Sequence, residues 1–380
     1  MTTLLLHDVP LRDPFLRHEL GEASGDPVTF IEHEGKRIVV AGVFEQDIFK
    51  RREDVVDEFW SLQELGSDEL MNDDSVPQSI VSAEMVLRAL QRVGTQAVVV
   101  TATFPVLLAQ YLKDKGVEIS VDEDLWWARR RQKTPGELEG IERAQRAADT
   151  AMLAAGRMLR EAEPTRDGQL RFEGEILTAE WIRQTMEQEL LTQQTDCRDL
   201  LVQSGAKGMR GHDPGSGPIV PNETCIIDVW PRDMRTGAYS DMTRTFVPGR
   251  LSEDVQRLHA HVREALGIGL HAVRPGVADV HKRVSEFFSE KGYPTQMHHA
   301  GPGPLAEGFN HGLGHGVGLE VHERPNLGRR SDELVEGDVI TLEPGLYFDG
   351  LGGVRLEDTV IVTSEGPEHF TDPFTYDLQP

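Results

Sequence analysis

The sequence predicts a mixed α/β (α+β) protein of two domains. Three features of its 380 residues carry that expectation. The early part alternates short apolar runs with amphipathic stretches, a basic run at 129–133 precedes a strongly capped helix, and beyond it helix pairs alternate with hairpin-like segments. At about 150 residues per domain such a length fits two or three compact units.

Segments 27–31 and 37–41 read as strands of a hairpin around Glu34-Gly35-Lys36. Residues 82–93 show helical spacing through Met85, Leu87, Leu90 and Val93, and 96–101 follows as a buried strand. A helix over 106–115 is stopped by Gly116 ahead of a strand at 117–121, so a small mixed sheet is expected. None of these segments carries a catalytic constellation, and 1–132 is assigned as a noncatalytic α/β domain. The basic run at its end reads as a solvated linker.

The second domain, 133–380, opens on a helix that Thr134 can cap, with Pro135 in the first turn and Glu137 closing a capping box. Leu138, Ile141, Ala148, Met152, Ala155 and Leu159 give that helix one apolar stripe. Next come a helix over 172–191, a hairpin across 218–246 and helices over 252–273 and 280–291, ended by Pro275-Gly276 and Gly292. A glycine-rich segment at 301–318 leads to strands at 339–343 and 354–363.

Composition narrows the function. With 39 Lys plus Arg against 64 Asp plus Glu, the formal charge of −25 repels phosphate backbones and argues against a nucleic-acid partner. The start, Met1-Thr2-Thr3-Leu4-Leu5-Leu6, is not that of a signal peptide, and no run approaches the ~20 apolar residues of a membrane helix, so a cytoplasmic location is expected. Cys197 and Cys225 are too few for a disulfide scaffold and are expected to be plain buried thiols.

The chemistry lies in the second domain, where Asp228, Asp241, Glu343 and Glu357 interrupt apolar strand-like runs. A buried unpaired charge costs several kcal/mol, so four acids in such places need a reason. The midpoint of Asp228 and Asp241 falls in the turn-like stretch 232–237, which would set the two face to face across a hairpin. Four converging carboxylates would be neutralised by two divalent ions. His311, His315 and His322, spaced among glycines, add imidazoles, and a carboxylate and imidazole set without cysteine suits Mn, Co, Fe or Zn.

Four blocks in order, Ser240-Asp241-Met242-Thr243-Arg244-Thr245, the His-Gly segment through Pro325, Thr341-Leu342-Glu343-Pro344-Gly345-Leu346-Tyr347 and Gly353-Val354-Arg355-Leu356-Glu357-Asp358, resemble the pita-bread metallopeptidases. Within them the similarity is to the proline-specific group of Xaa-Pro dipeptidase (prolidase) and aminopeptidase P, across about 133–380. The resemblance implies a creatinase-like N-terminal α/β domain followed by a pita-bread catalytic domain, in a homodimer. It also implies hydrolysis of the Xaa-Pro imide bond in short proline-containing peptides, most simply dipeptides, by a hydroxide bridging two divalent metal ions, manganese first. Asp228, Asp241, His315, Glu343 and Glu357 would be the ligands, Asp241 and Glu357 bridging. Glu343 would also carry the proton to the leaving nitrogen. His212 and His322 would contact substrate and oxyanion, His311 would face the cleft, and Thr243 and Arg355 would orient ligands.

Two departures bear on this. Relatives space the paired aspartates by eleven, whereas 241 − 228 is 13 here, with Trp230-Pro231-Arg232 at the start of the longer hairpin and Asp233 as the fallback ligand. Asn326 stands where some prolidases carry an arginine for the substrate carboxylate, leaving Arg329 and Arg330 as substitutes. Aminopeptidase P activity on longer peptides, a metal-free creatinase-like amidinohydrolase and a noncatalytic peptide-binding module are the competing readings.

Overall fold

In the computed structural model the described residues are 2–21, 24–209, 211 and 213–379. They form two compact units, Met1–Arg130 and Arg131–Pro380. Among them no helix is long and apolar enough to cross a membrane.

The first unit is built on a six-stranded mixed sheet of β1 (Leu4–Asp8), β2 (Val28–His33), β3 (Lys36–Ala41), β4 (Glu58–Ser61), β5 (Ala97–Val100) and β6 (Glu118–Val121), in the order β4-β3-β2-β1-β5-β6. The expected hairpin is β2–β3, turned by Glu34 and Gly35 at φ 53° and 80°, the left-handed pair that suits a two-residue hairpin loop. Alternate residues of β1 serve opposite cores. Leu5 packs with Val86, Leu90 and Leu112, while Leu4 and Leu6 pack with Leu16, Phe49 and Trp126.

The basic run is not a solvated linker. Arg129 bonds both oxygens of Glu19 at 2.5 and 2.6 Å, and Arg130, 2% exposed, lies over the rings of Phe15 and Trp127. Arg131 bonds both oxygens of Asp338 at 2.8 and 2.6 Å, and Lys133 pairs with buried Glu323. Guanidinium planes match carboxylates and aromatic faces, and these distant partners absorb the charge that the run shows on paper.

In the second unit the helix Pro135–Glu161 begins at the expected capping box and shares a core with the helix Ala179–Thr192. The latter starts later than its sequence suggested. Leu170–Phe172 and Glu175–Ile176 form a small hairpin around Glu173 and Gly174, both at positive φ, and Thr178 then caps the helix. A second core joins the helices Glu253–Ala272 and Val280–Glu290. Between the helices lie β7 (Leu201–Ser204), β8 (Cys225–Val229) and β9 (Met242–Phe246), paired in that order. A five-stranded sheet follows, from β10 (Gly314–Gly316), β11 (Glu323–Leu327), β12 (Val339–Leu342), β15 (Asp358–Thr363) and β16 (Gly366–His369), ordered β11-β10-β12-β15-β16. The ribbon of β13 (Gly345–Phe348) and β14 (Gly352–Arg355) interrupts it in sequence, so the strand expected over 354–363 is two strands broken at Leu356-Glu357.

Arg244 ties these pieces together. Only 1% exposed, it donates to the carbonyls of Thr243, Glu357, Phe374 and Thr375 at 2.7–3.0 Å and to Asp358 at 2.8 Å. Arg244→Met would take a donor from four carbonyls and the buried partner charge from Asp358, so unfolding of the full chain in urea is expected to show a loss of about 3–5 kcal/mol.

Candidate metal centre

Strand β8 fixes the first acid. Asp228 lies opposite Thr243 of β9, and Val229 opposite Met242. The expected direct pairing of Asp228 with Asp241 is therefore off by two residues, because the connection is more than a turn. Arg232–Asp233 pairs with Thr195–Asp196, and Arg232 bridges back to Tyr239. Asp241 precedes β9 and stands diagonally from Asp228 on the same face, since positions two apart in a strand share one.

Only Asp228 sits inside a strand; the other three acids lie just beyond strand ends. Asp241 is pinned by Thr359, whose Oγ1 donates to its carbonyl at 2.8 Å and accepts from its N–H at 3.2 Å. Glu343 follows β12 and donates its N–H to the Leu313 carbonyl at 2.7 Å. Glu357 occupies the break between β14 and β15, its N–H on the Thr243 carbonyl at 3.0 Å and its Oε2 accepting from Thr243 Oγ1 at 2.7 Å. His315 is carried by β10, where Gly314 comes so close to β12 that a Cβ would lie 2.0 Å from the Thr341 carbonyl. Glycine there lets the strand bring its imidazole in.

A cavity of about 450 Å³ is lined by Asp228, Asp241, Glu343 and Glu357 together with His311, His315 and His322. One side-chain ligand atom from each of Asp241, His315 and Glu357 lies within 4.8 Å of the others. His315 Nε2 is 3.8 Å from Asp241 Oδ2 and 3.9 Å from Glu343 Oε1. The rings of His315 and His322 meet edge to face with centroids 4.2 Å apart.

The site is electrostatically loaded. Burial, then the carboxylates of Glu357, Asp228 and Glu343, hold the Asp241 carboxyl well above its ordinary range. Burial, Glu343 and Asp228 do the same to Glu357, and burial pushes Glu343 up to about 7 against the pull of Arg355. Burial also lowers His315 to about 4 and His311 to about 3, so both imidazoles are neutral near pH 7 and keep a lone pair to offer. The Oδ1 atoms of Asp228 and Asp241 are buried without a hydrogen-bond partner. Orphaned carboxylate oxygens beside imidazole nitrogens are a donor set that suits a divalent cation, and the residues present fit one.

Arg355 enters the cavity itself, bonding the Asp228 carboxylate, Thr243 Oγ1 at 3.2 Å and the Tyr347 hydroxyl at 3.0 Å. That hydroxyl is also 3.0 Å from His311 Nε2. Tyr347 and the lining residues Trp230 and Val321 had no assigned role. The available signal for Tyr347 was Gly353, which faces it across the ribbon and where a Cβ would lie 2.5 Å from its ring.

Other expectations fall outside the cavity. Arg329 and Arg330 are exposed and do not line it, and Arg329 donates to the Gln296 carbonyl. Asp233, the fallback ligand, bonds Arg143 through both oxygens at 3.0 Å, and despite its burial Arg143 and Thr236 hold its carboxyl below the usual range. His212 lies outside the described residues.

A gathered set of acids and neutral imidazoles in the second unit has the make-up of a divalent-metal site. Residues 139–364 match metallopeptidase family M24, and the chain belongs to that family. It is 31% identical over 243 residues to a Xaa-Pro dipeptidase of Pyrococcus furiosus, across 63% of this chain and 62% of that protein. With the Xaa-Pro dipeptidase of Pyrococcus horikoshii the identity is 28% over 284 residues, 73% of this chain and 74% of that one. The fold is shared with the Thermotoga maritima X-Pro aminopeptidase (TM-score 0.76, 21% identity, 99% of this chain and 97% of that one). It is shared also with the Pyrococcus horikoshii prolidase (TM-score 0.71, 22% identity, 98% of this chain and 94% of that one).

Cations that relieve the repulsion among these acids should stabilise the fold. A divalent metal at 100 times its dissociation constant is expected to add about 2.7 kcal/mol, read as a rise in thermal midpoint that a chelator reverses. The Asp241→Asn/Glu357→Gln double variant is expected to lose that rise.

Proposed function

We propose that this chain hydrolyses the imide bond of Xaa-Pro dipeptides with a pair of divalent cations. The observation that carries the reading is the convergence of Asp228, Asp241, His315, Glu343 and Glu357, spread over the second unit, on one cavity. Asp241 and Glu357 would be shared by both cations, Asp228 would serve one, and His315 with Glu343 the other. Bound there, the cations, manganese first and cobalt, zinc or iron as alternatives, supply Lewis acidity and activation of the attacking water.

The chain's own residues do the rest. Arg355 fixes Asp228 and, through Tyr347, sets the plane of His311. Thr243 orients Glu357 by its 2.7 Å bond. Glu343 passes a proton to the leaving imide nitrogen, and His322 with His212 stabilises the developing oxyanion. The likeness to two Xaa-Pro dipeptidases supports the choice of substrate. The same reading makes 1–132 a noncatalytic domain and the working form a cytoplasmic homodimer.

A second reading, aminopeptidase P acting on longer peptides, is favoured by one observation. Arg355 is the only arginine among the described cavity-lining residues, and it is engaged with Asp228 and Tyr347 instead of standing ready for a dipeptide carboxylate.

Hydrolysis of Xaa-Pro dipeptides and Xaa-Pro tripeptides, each assayed with Mn, Co and Zn in turn, decides between them. Cleavage confined to dipeptides is expected, and equal or faster tripeptide cleavage would move the assignment to aminopeptidase P. His322→Ala is expected to lower kcat by about 100-fold, the scale of one lost oxyanion donor, with metal content intact by elemental analysis. Loss of metal in that variant would contradict its role.

A further inference from the structure

Asp241 is held without a strand ladder. It lies one residue before β9, and its own N–H and carbonyl are both taken by Thr359 Oγ1. Behind it stands a polar side chain from far earlier in the sequence.

Gln145, on the helix Pro135–Glu161, reaches the residues on either side of Asp241. Its Oε1 accepts from Ser240 Oγ, while its Nε2 donates to Asp149 Oδ1 at 3.2 Å and lies 3.9 Å from Met242 Sδ. Alternate residues of an extended chain face opposite ways, so Ser240 and Met242 turn toward the helix while Asp241 turns into the cavity. One amide braces the acid from the rear.

The arrangement is specific. Gln145 is 7% exposed and Ser240 is fully buried, so removing either side chain strands a hydrogen-bonding atom of the other. Asp149, which also takes a hydrogen bond from Thr371, accepts from the amide nitrogen; this leaves the amide oxygen for Ser240 and makes the serine hydroxyl a donor aimed at the helix. The same helix holds the approach to this segment, because Arg143 bonds both oxygens of Asp233 at 3.0 Å. Helix and ligand segment are thus tied at two points.

We infer that Gln145 is a positioning residue for Asp241, setting through Ser240 the direction in which that carboxylate meets the cations. The inference rests on the two-cation reading above and adds to it a residue that touches neither cation nor substrate. Partners one step behind a metal ligand carry about 10–100-fold of metal affinity.

Its test is metal binding by the full chain stripped of metal. The Mn²⁺ dissociation constant by calorimetry and the visible absorption of the Co²⁺-loaded protein are measured in the wild type, Ser240→Ala, Gln145→Met, their double variant and Met152→Ala. Met152 is buried in the apolar core of the same helix, so its truncation weakens the fold and keeps the amide–hydroxyl bond. Ser240→Ala and Gln145→Met are each expected to weaken Mn²⁺ binding about tenfold or more and to shift the Co²⁺ spectrum, and the double variant to lose no more than the larger single loss. Met152→Ala is expected to unfold at lower urea concentration with both readings unchanged. Unaltered affinity and spectrum in the two single variants, additive losses in the double, or equal losses in Met152→Ala would overturn the inference while leaving the metal site in place. A wild type that takes up no divalent cation would remove the two-cation reading, and this inference with it.

Discussion

Four carboxylates held in one cavity repel each other, and the surrounding structure is arranged around that repulsion. Arg355 supplies one positive charge within the cavity, and burial keeps His311 and His315 neutral near pH 7. Thr243, Thr359 and the Leu313 carbonyl hold the acid-bearing backbone from behind, so the acids cannot swing apart to relieve their strain. Such a site gains from cations what an ordinary core gains from apolar contact.

Placing three acids just past strand ends is the means by which the fold gathers them. Within a strand alternate residues face a common side, and a ladder of paired backbones leaves little freedom to redirect one of them. Where the ladder stops, Asp241, Glu343 and Glu357 can turn into the cavity, and their backbone groups take side-chain or cross-strand partners instead. Asp228 needs no such freedom because its strand already presents the correct face.

This geometry explains what was legible in the sequence. Thr134, Pro135 and Glu137 marked a helix start because capping is local chemistry. The four acids and the histidines stood out because polar groups amid apolar runs are conspicuous at any distance. Hidden were features set by partners far along the chain. The cations at 129–133 appeared solvated until Glu19, Asp338 and Glu323 were in place, and the Asp228–Asp241 register depended on Thr195–Asp196 pairing with Arg232–Asp233. β1 was masked because three successive leucines serve two different cores and so show no one-sided pattern. The helix before β7 began late because Glu173 adopts a backbone conformation that local propensity disfavours.

The Arg244 hub has a kinetic corollary. It joins β9 to the stretch around Glu357 and to carbonyls at Phe374 and Thr375, so segments 113 to 131 positions apart meet behind the pocket. Contacts that span so much of the chain form late, after shorter loops have closed. The back of the pocket would therefore be among the last parts of the second unit to become fixed during refolding.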